Sequence, residues 1–383
     1  MDFSTPAYIE TYRDEVKKFA SSLLTEDFAD REQSGTFSRA AWDACAEFGL
    51  LKLMVPRAYG GQDEEVDLLK AVVAMEGFGF GCPDGGLALG LNAQMWTVQL
   101  TFVHHASDAQ KEKFLPKLAS GHWLGSHALT EEQAGSDVYS MQTIAEKVEG
   151  GYVLNGGKRL IGMAPLADVI VIFANARPKM GTFGITGFIL ERGMDGLKTS
   201  ASQQKMGLRT HPFGEIELKD CFVPDENRLG GEGAGFGICN HSLEFDRCGI
   251  LASHIGAMER QLEECIAFAK KRKQFGQPIS KFQSISNRVA DMRLRLETAR
   301  LLLYKLVWLK QQNKPAMLEA SMLKLLLSEN FVESSLDAIR IHGGISYLSG
   351  HNSERDLRDA VGGILYAGTS DIQRNIIAKF MGL

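Results

Sequence analysis

The segment Leu243-Glu244-Phe245-Asp246-Arg247 puts two carboxylates and a guanidinium within five residues. On a helix, positions two apart do not share a face, so Glu244 and Asp246 do not work as a pair. On the residues alone, Asp246 reads as a surface carboxylate beside Arg247. Other chemistry-bearing clusters say less. Gly230-Gly231-Glu232-Gly233-Ala234-Gly235 has the look of a dinucleotide loop. Such a loop has meaning only inside a β-α-β unit with an acidic residue about 20 positions on, and that context is absent. The segment reads instead as a flexible lead into the helix after Phe236. His104-His105 is the only adjacent histidine pair and has no HExxH spacing, which argues against a metal site. Cys45, Cys82, Cys221, Cys239, Cys248 and Cys265 form no CxxC pair and read as reduced, mostly buried thiols.

The elements that must position these groups belong to a chain of 383 residues, 44% hydrophobic and 23% charged. That length suggests two or three domains. It also buries enough apolar surface to need no disulfide or metal staple. The net charge of -5 argues against a nucleic-acid partner, which would require a basic face. No apolar run reaches the roughly 18 residues of a membrane span, and no leader precedes Thr5-Pro6, so the expected location is cytoplasmic.

Three textures follow one another. Thr5-Pro6 predicts a cap and first turn for a helix carrying Ile9, Tyr12, Val16 and Phe19. Ser38 predicts the cap of a second helix, stopped by Gly49. The period then shortens. Residues 143–148 and 152–155 flank Gly150-Gly151 as a hairpin. Val169 to Phe173 predicts a buried strand, with further strands over 183–190 and 215–223, the last ended by Pro224. Long helices return over 243–271, 285–311 and 317–341, with Gly343-Gly344 as the stop. The order gives an α+β chain: an N-terminal helical domain (1–120), a middle β domain (121–230) and a C-terminal helical domain (231–383).

Six motifs in register resemble the acyl-CoA dehydrogenase family. They are residues 55–61 (Val-Pro-Arg-Ala-Tyr-Gly-Gly), 128–137 (Ala-Leu-Thr-Glu-Glu-Gln-Ala-Gly-Ser-Asp), 223–227 (Val-Pro-Asp-Glu-Asn), 272–283 from Arg272 to Gln283, His342-Gly343-Gly344, and 364–374 around Tyr366-Ala367-Gly368-Thr369. The resemblance implies three domains, the last a four-helix bundle. It also implies FAD as cofactor and α,β-dehydrogenation of an acyl thioester. The implied FAD contacts are Leu129, Thr130, Ser136, Leu160, Gly162, Arg272, Gln274, Phe275, Gln283, Arg340, Gly343, Gly344, Thr369 and Asp371. The implied substrate contacts are Ser136, Glu244, Arg247, Tyr366, Ala367 and Gly368. In the family the Arg272 motif and the Gly-Gly segment reach the FAD of a neighbouring subunit, so a homo-oligomer, most often a tetramer, is implied. The residue types suit the task. Backbone N–H groups with Thr130 and Ser136 satisfy a flavin's polar edge, and Arg272 offers a fork of donors to phosphate.

Two departures from the family pattern shape the reading. Ala367 stands where many members carry the catalytic Glu. Members resembling isovaleryl-CoA dehydrogenase share that Ala and place the base on a helix, in a Leu-Asp-Leu-Glu-Arg motif. Asp246 aligns with that base, one methylene shorter. The flavin-covering segment, usually Trp-Ile-Thr-Asn, is Leu160-Ile161-Gly162-Met163 here, which opens one flavin face to oxygen. The expected substrate is a short, branched or cyclic acyl group on CoA or on a carrier protein. The electron acceptor is then a partner protein or oxygen. A flavin oxidase or monooxygenase on the same fold and an inactive flavoprotein stand as alternatives.

Overall fold

A computed structural model describes residues 5–383, and residues 1–4 lie outside that range. The N-terminal helices are α1 (Ala7–Ser22), α2 (Phe28–Ser34), α3 (Arg39–Phe48), α4 (Leu68–Gly81), α5 (Gly85–Asn92), α6 (Leu100–His105) and α7 (Asp108–Ala119). Local chemistry sets their ends. Ser38 Oγ accepts the Ala41 N–H at 3.1 Å, and Gly49 closes α3 at φ 99°. At α1 the expected register shifts by one. Pro6 is itself the cap residue, because its extended ψ of 137° keeps it out of the helix. Between α5 and α6 the chain makes a π-helical segment, Ala93–Gln99, so residues 85–105 form one helical rod with a widened turn. The periodicity had not revealed this segment.

The middle of the chain is an eight-stranded sheet: β1 (Gly125–Ala128), β2 (Ile144–Val148), β3 (Gly151–Gly162), β4 (Val169–Asn175), β5 (Ile185–Glu191), β6 (Leu197–Thr199), β7 (Phe213–Pro224) and β8 (Arg228–Leu229). Its order is β6-β7-β3-β2-β4-β5-β8, with β1 parallel to β4. The hairpin at Gly150 forms as expected. Val148 faces Gly151, and Gly150 takes φ 74° in the two-residue turn. β4 is buried on both faces: Val169, Val171 and Phe173 pack toward the helices, Ile170 and Ile172 toward β3 and β7. Phe183, expected within β5, is 68% exposed in the turn before it. Burial, and with it the strand, starts at Gly184-Ile185.

The C-terminal helices are α8 (Gly235–Gly249), α9 (Ala252–Lys271), α10 (Gln283–Gln311), α11 (Met317–His342), α12 (Asn352–Gly363) and α13 (Ser370–Phe380). A small hairpin, β9 (Lys273–Gln274) and β10 (Gln277–Pro278), links α9 to α10. The single helix expected over 243–271 is broken at Ile250-Leu251. Apolar spacing ran through the break because both pieces bury a face in the same core. That core also contains α1 and α4, so the helices from both ends of the chain share one interior. The order of helices, sheet and helices is the one expected. Among the described residues, no helix is long and apolar enough to cross a membrane.

Candidate active site

Close helix packing places Asp246. Gly249 on α8 has no room for a side chain, since a Cβ there would lie 1.9 Å from the Trp96 ring. The missing side chain lets α8 press against the π-helical segment. Thr97, one residue along that segment from Trp96, then donates its hydroxyl to Asp246 Oδ1 at 2.5 Å. Asp246 is only 4% exposed, so it is not a surface carboxylate. Burial pushes its pKa up to about 6, while the Thr97 hydrogen bond and the charges of Arg247 and Lys324 limit the rise. Glu244 points elsewhere and pairs with Lys310 at 2.9 Å. The two carboxylates therefore stand apart, as their spacing on the helix required.

Arg247 ties α8 to the C-terminal motif. It is 5% exposed, its Nε donates to the Ala367 carbonyl at 3.3 Å, and its Nη1 lies 3.2 Å from Met317 Sδ. Ala367 holds φ 54°, a left-handed conformation that costs a residue with a Cβ about 1 kcal/mol. Gln373 Nε2 offsets that strain by donating to the Ala367 and Gly368 carbonyls at 3.1 and 3.0 Å. Tyr366 OH sits 3.4 Å from His254 Nε2. Arg247 and the Tyr366-Ala367-Gly368 turn thus meet, with Asp246 the residue before Arg247, while Glu244 lies apart with Lys310.

A second group borders it. Ser136, Thr369, Ser370, Asp371 and Arg374 line an open cleft of about 490 Å³. Thr369 Oγ1 accepts the Ile372 N–H at 3.3 Å and Asp371 pairs with Arg374 at 3.0 Å. The buried Ser370 Oγ has no partner among the described residues. The loop carrying Ser136 is anchored by a buried ion pair. Lys158 Nζ lies 2.7 Å from Glu131, which also accepts the Thr143 hydroxyl at 2.6 Å. Lys158 donates as well to the carbonyl of Leu129, itself buried. Thr130 accepts the Arg159 N–H at 2.9 Å. Leu160 is 56% exposed at φ 57°, and Gly162 accepts the Ser126 hydroxyl at 2.7 Å. Free hydroxyls, loop amides and an apolar side chain suit a flavin's polar edge and ring, so the residues present fit FAD.

The third group is not brought to this cleft within one chain. Arg272 caps the far end of α9, whose 20 residues span about 30 Å. Arg272 has no ion-pair partner among the described residues, and Phe275 is 92% exposed at φ 50°. The Gln274 side chain donates to the Lys273 carbonyl at 2.7 Å, and Gln283 is exposed at the start of α10. Arg340 pairs with Asp337 at 3.0 Å. Gly343 and Gly344 have open space where a Cβ would stand.

Sequence reasoning missed Thr97 and Lys324. Both left a trace: each is a lone polar residue in an apolar run, Met95-Trp96-Thr97-Val98 and Met322-Leu323-Lys324-Leu325. All six cysteines are buried and free, as expected. His104 and His105 meet His241, the latter two at 3.0 Å, on the α6–α8 seam.

Comparison with known proteins fits this geometry. The acyl-CoA dehydrogenase N-terminal, middle and C-terminal domain families match residues 8–122, 126–221 and 233–382. An L-prolyl-[peptidyl-carrier protein] dehydrogenase of Pseudomonas fluorescens is 41% identical, over 97% of this chain and 99% of its own length. The crystal structure of the prolyl acyl carrier protein oxidase AnaB superposes with a TM-score of 0.97 at 44% identity, over 99% of this chain and 100% of that one. A structure of PigA with FAD and proline superposes at 0.96 and 36% identity, covering both chains completely. The chain belongs to the acyl-CoA dehydrogenase family and is an FAD-dependent oxidoreductase of acyl thioesters.

Proposed function

We propose that this enzyme dehydrogenates a prolyl group held as a thioester on a peptidyl carrier protein, with Asp246 as the base. The observation that carries the reading is the buried Asp246, fixed by Thr97 beside the Tyr366-Ala367-Gly368 turn. A carboxylate with its pKa near 6 is ionised at neutral pH yet basic enough to take the proton alpha to a thioester. Ala367 leaves space where a longer side chain would crowd a cyclic acyl group. Its turn offers backbone donors to the thioester carbonyl as enolate charge develops. FAD, when bound, supplies the acceptor for the hydride. The prolyl group and its carrier are supported by the names of the relatives, a prolyl-carrier dehydrogenase and a prolyl-carrier oxidase.

The same reading assigns Leu129, Thr130, Ser136, Leu160, Gly162, Thr369 and Asp371 to FAD held by their own chain. The hairpin from Arg272 to Phe275, with Gln283, Arg340, Gly343 and Gly344, serves the FAD of a neighbouring subunit in a cytoplasmic homotetramer. The exposed Leu160, in place of a shielding aromatic, favours oxygen as electron acceptor. Mixing the reduced enzyme with air-saturated buffer tests this, and reoxidation no faster than that of free buffer controls sinks it. The substrate assignment is tested by anaerobic flavin bleaching with prolyl-carrier protein and with prolyl-CoA. Rapid bleaching by the carrier-bound thioester is expected. Equal rates with both donors, or bleaching by CoA esters alone, contradict the carrier assignment.

A further inference from the structure

Lys324 makes no hydrogen bond to the groups above, yet its charge reaches Asp246. It is completely buried on α11, and its ammonium has no hydrogen-bond partner among the described residues. The α11 face it belongs to carries Met317, which touches Arg247, and Phe331, whose ring lies 4.8 Å from that of His254. Ser321, one turn earlier on the same face, also has a buried hydroxyl without a partner. A buried, unpaired ammonium is costly, and its retention calls for a reason.

The charges around Lys324 are few. From α8 come Asp246 and Arg247, from α9 His254, and from α11 itself Glu329. Glu329 is turned toward Arg374 of α13 at 3.6 Å. From α10, Lys310 is matched by Glu244. On α12, Asp356 is matched by Arg260 at 2.8 Å. Asp359 accepts the Leu208 N–H at 2.5 Å. Burial, with the Lys324 charge beside it, keeps His254 neutral, its pKa lowered to about 3. Burial likewise raises the Tyr366 hydroxyl, which stays protonated. Burial raises the pKa of Asp359 to about 7, so below that pH Asp246 is the ionised carboxylate that faces the two cations, Arg247 and Lys324.

We propose that Lys324, with Arg247, makes the acyl pocket selective for an uncharged amine, so that a cyclic amino-acyl thioester reacts as its free base. This rests on the prolyl reading above. A pyrrolidinium entering the pocket meets two like charges in a medium that screens them poorly. Its N–H bond therefore breaks, the electron pair stays on nitrogen, and the proton leaves to buffer. The resulting neutral ring sits beside Asp246 without competing for that carboxylate as an ion-pair partner. That keeps the base free for the alpha proton.

The test compares two thioesters on one carrier protein, prolyl and cyclopentanecarbonyl, which differ at the ring nitrogen. The profile of kcat against pH, which reports groups in the bound complex, is measured for the FAD-loaded wild type and for Lys324→Met and Lys324→Gln. Losing the ammonium moves the acidic limb for both substrates, because Asp246 also feels that charge. The inference expects a shift for prolyl that exceeds the carbocyclic one by about one pH unit. Equal shifts overturn it. A wild type that turns over the carbocycle but not the prolyl thioester overturns the prolyl reading, and the inference with it. Two substitutions guard against a local packing defect, and retained flavin absorbance reports the fold.

Discussion

At the scale of single residues, the proposed base is one carboxylate, and one hydroxyl tunes it. Thr97 donates to Asp246, and donation to the charged form lowers a carboxyl pKa. Thr97→Val therefore moves the acidic limb of kcat/KM upward from its wild-type position near pH 6, by about one unit. Asp246→Glu lengthens the arm by a methylene and displaces the carboxylate by about 1 Å, for an expected loss of about 100-fold in the rate of flavin reduction. Stability runs the other way. The folded pKa of Asp246 is raised from 3.8 to about 6, so the folded state favours the protonated carboxyl. That preference stabilises the fold fully below about pH 4 and is lost as pH rises through 6. Asp246→Asn removes the cost of the buried anion, up to about 3 kcal/mol at pH 7.5 and nothing near pH 4. Thermal melts at the two pH values check the sign. The helix that carries Asp246 was legible in the sequence through its apolar spacing. Thr97 is marked only as a lone polar residue in an apolar run, because a π-helical turn shifts which side chains face inward and leaves no periodic mark.

At the scale of elements, two contacts hold the site. The first is α8 against the π-helical segment over Gly249. Gly249→Ala forces a methyl into the Trp96 ring and is expected to cost at least 1–3 kcal/mol, with a larger fractional loss of activity than of stability. The second is the Glu131–Lys158 pair under the Ser136 loop. Breaking it by Lys158→Met strands a buried carboxylate, at a cost of about 3–5 kcal/mol, and lowers FAD retention on gel filtration. The motif around Glu131 was legible, but its partner was not, since Lys158 lies 27 residues away across the sheet. The hairpin at Gly150 was readable because a left-handed turn residue and flanking alternation are local signals. The break at Ile250-Leu251 was not, because both α8 and α9 keep an apolar face toward one core and the period runs on.

At the scale of the whole molecule, the order of helices, sheet and helices was visible from the change in hydrophobic period alone. The shared core of the two helical ends was not, because α4 and α9 are far apart in sequence. Phe275, Tyr347 and Leu348 are 92%, 90% and 63% exposed at the end of the molecule that carries Arg272 and the Gly-Gly segment. Phe275→Ala is expected to leave the melting of an isolated subunit within about 0.5 kcal/mol. In the proposed tetramer it weakens assembly and FAD binding together, as sedimentation and flavin content will show. The central claim is that Asp246 removes the alpha proton. Its most direct test is anaerobic stopped-flow reduction of FAD-loaded Asp246→Asn by prolyl-carrier protein. The account predicts normal FAD content and a reduction rate at least about 10³-fold below wild type. Reduction within tenfold of wild type would contradict it.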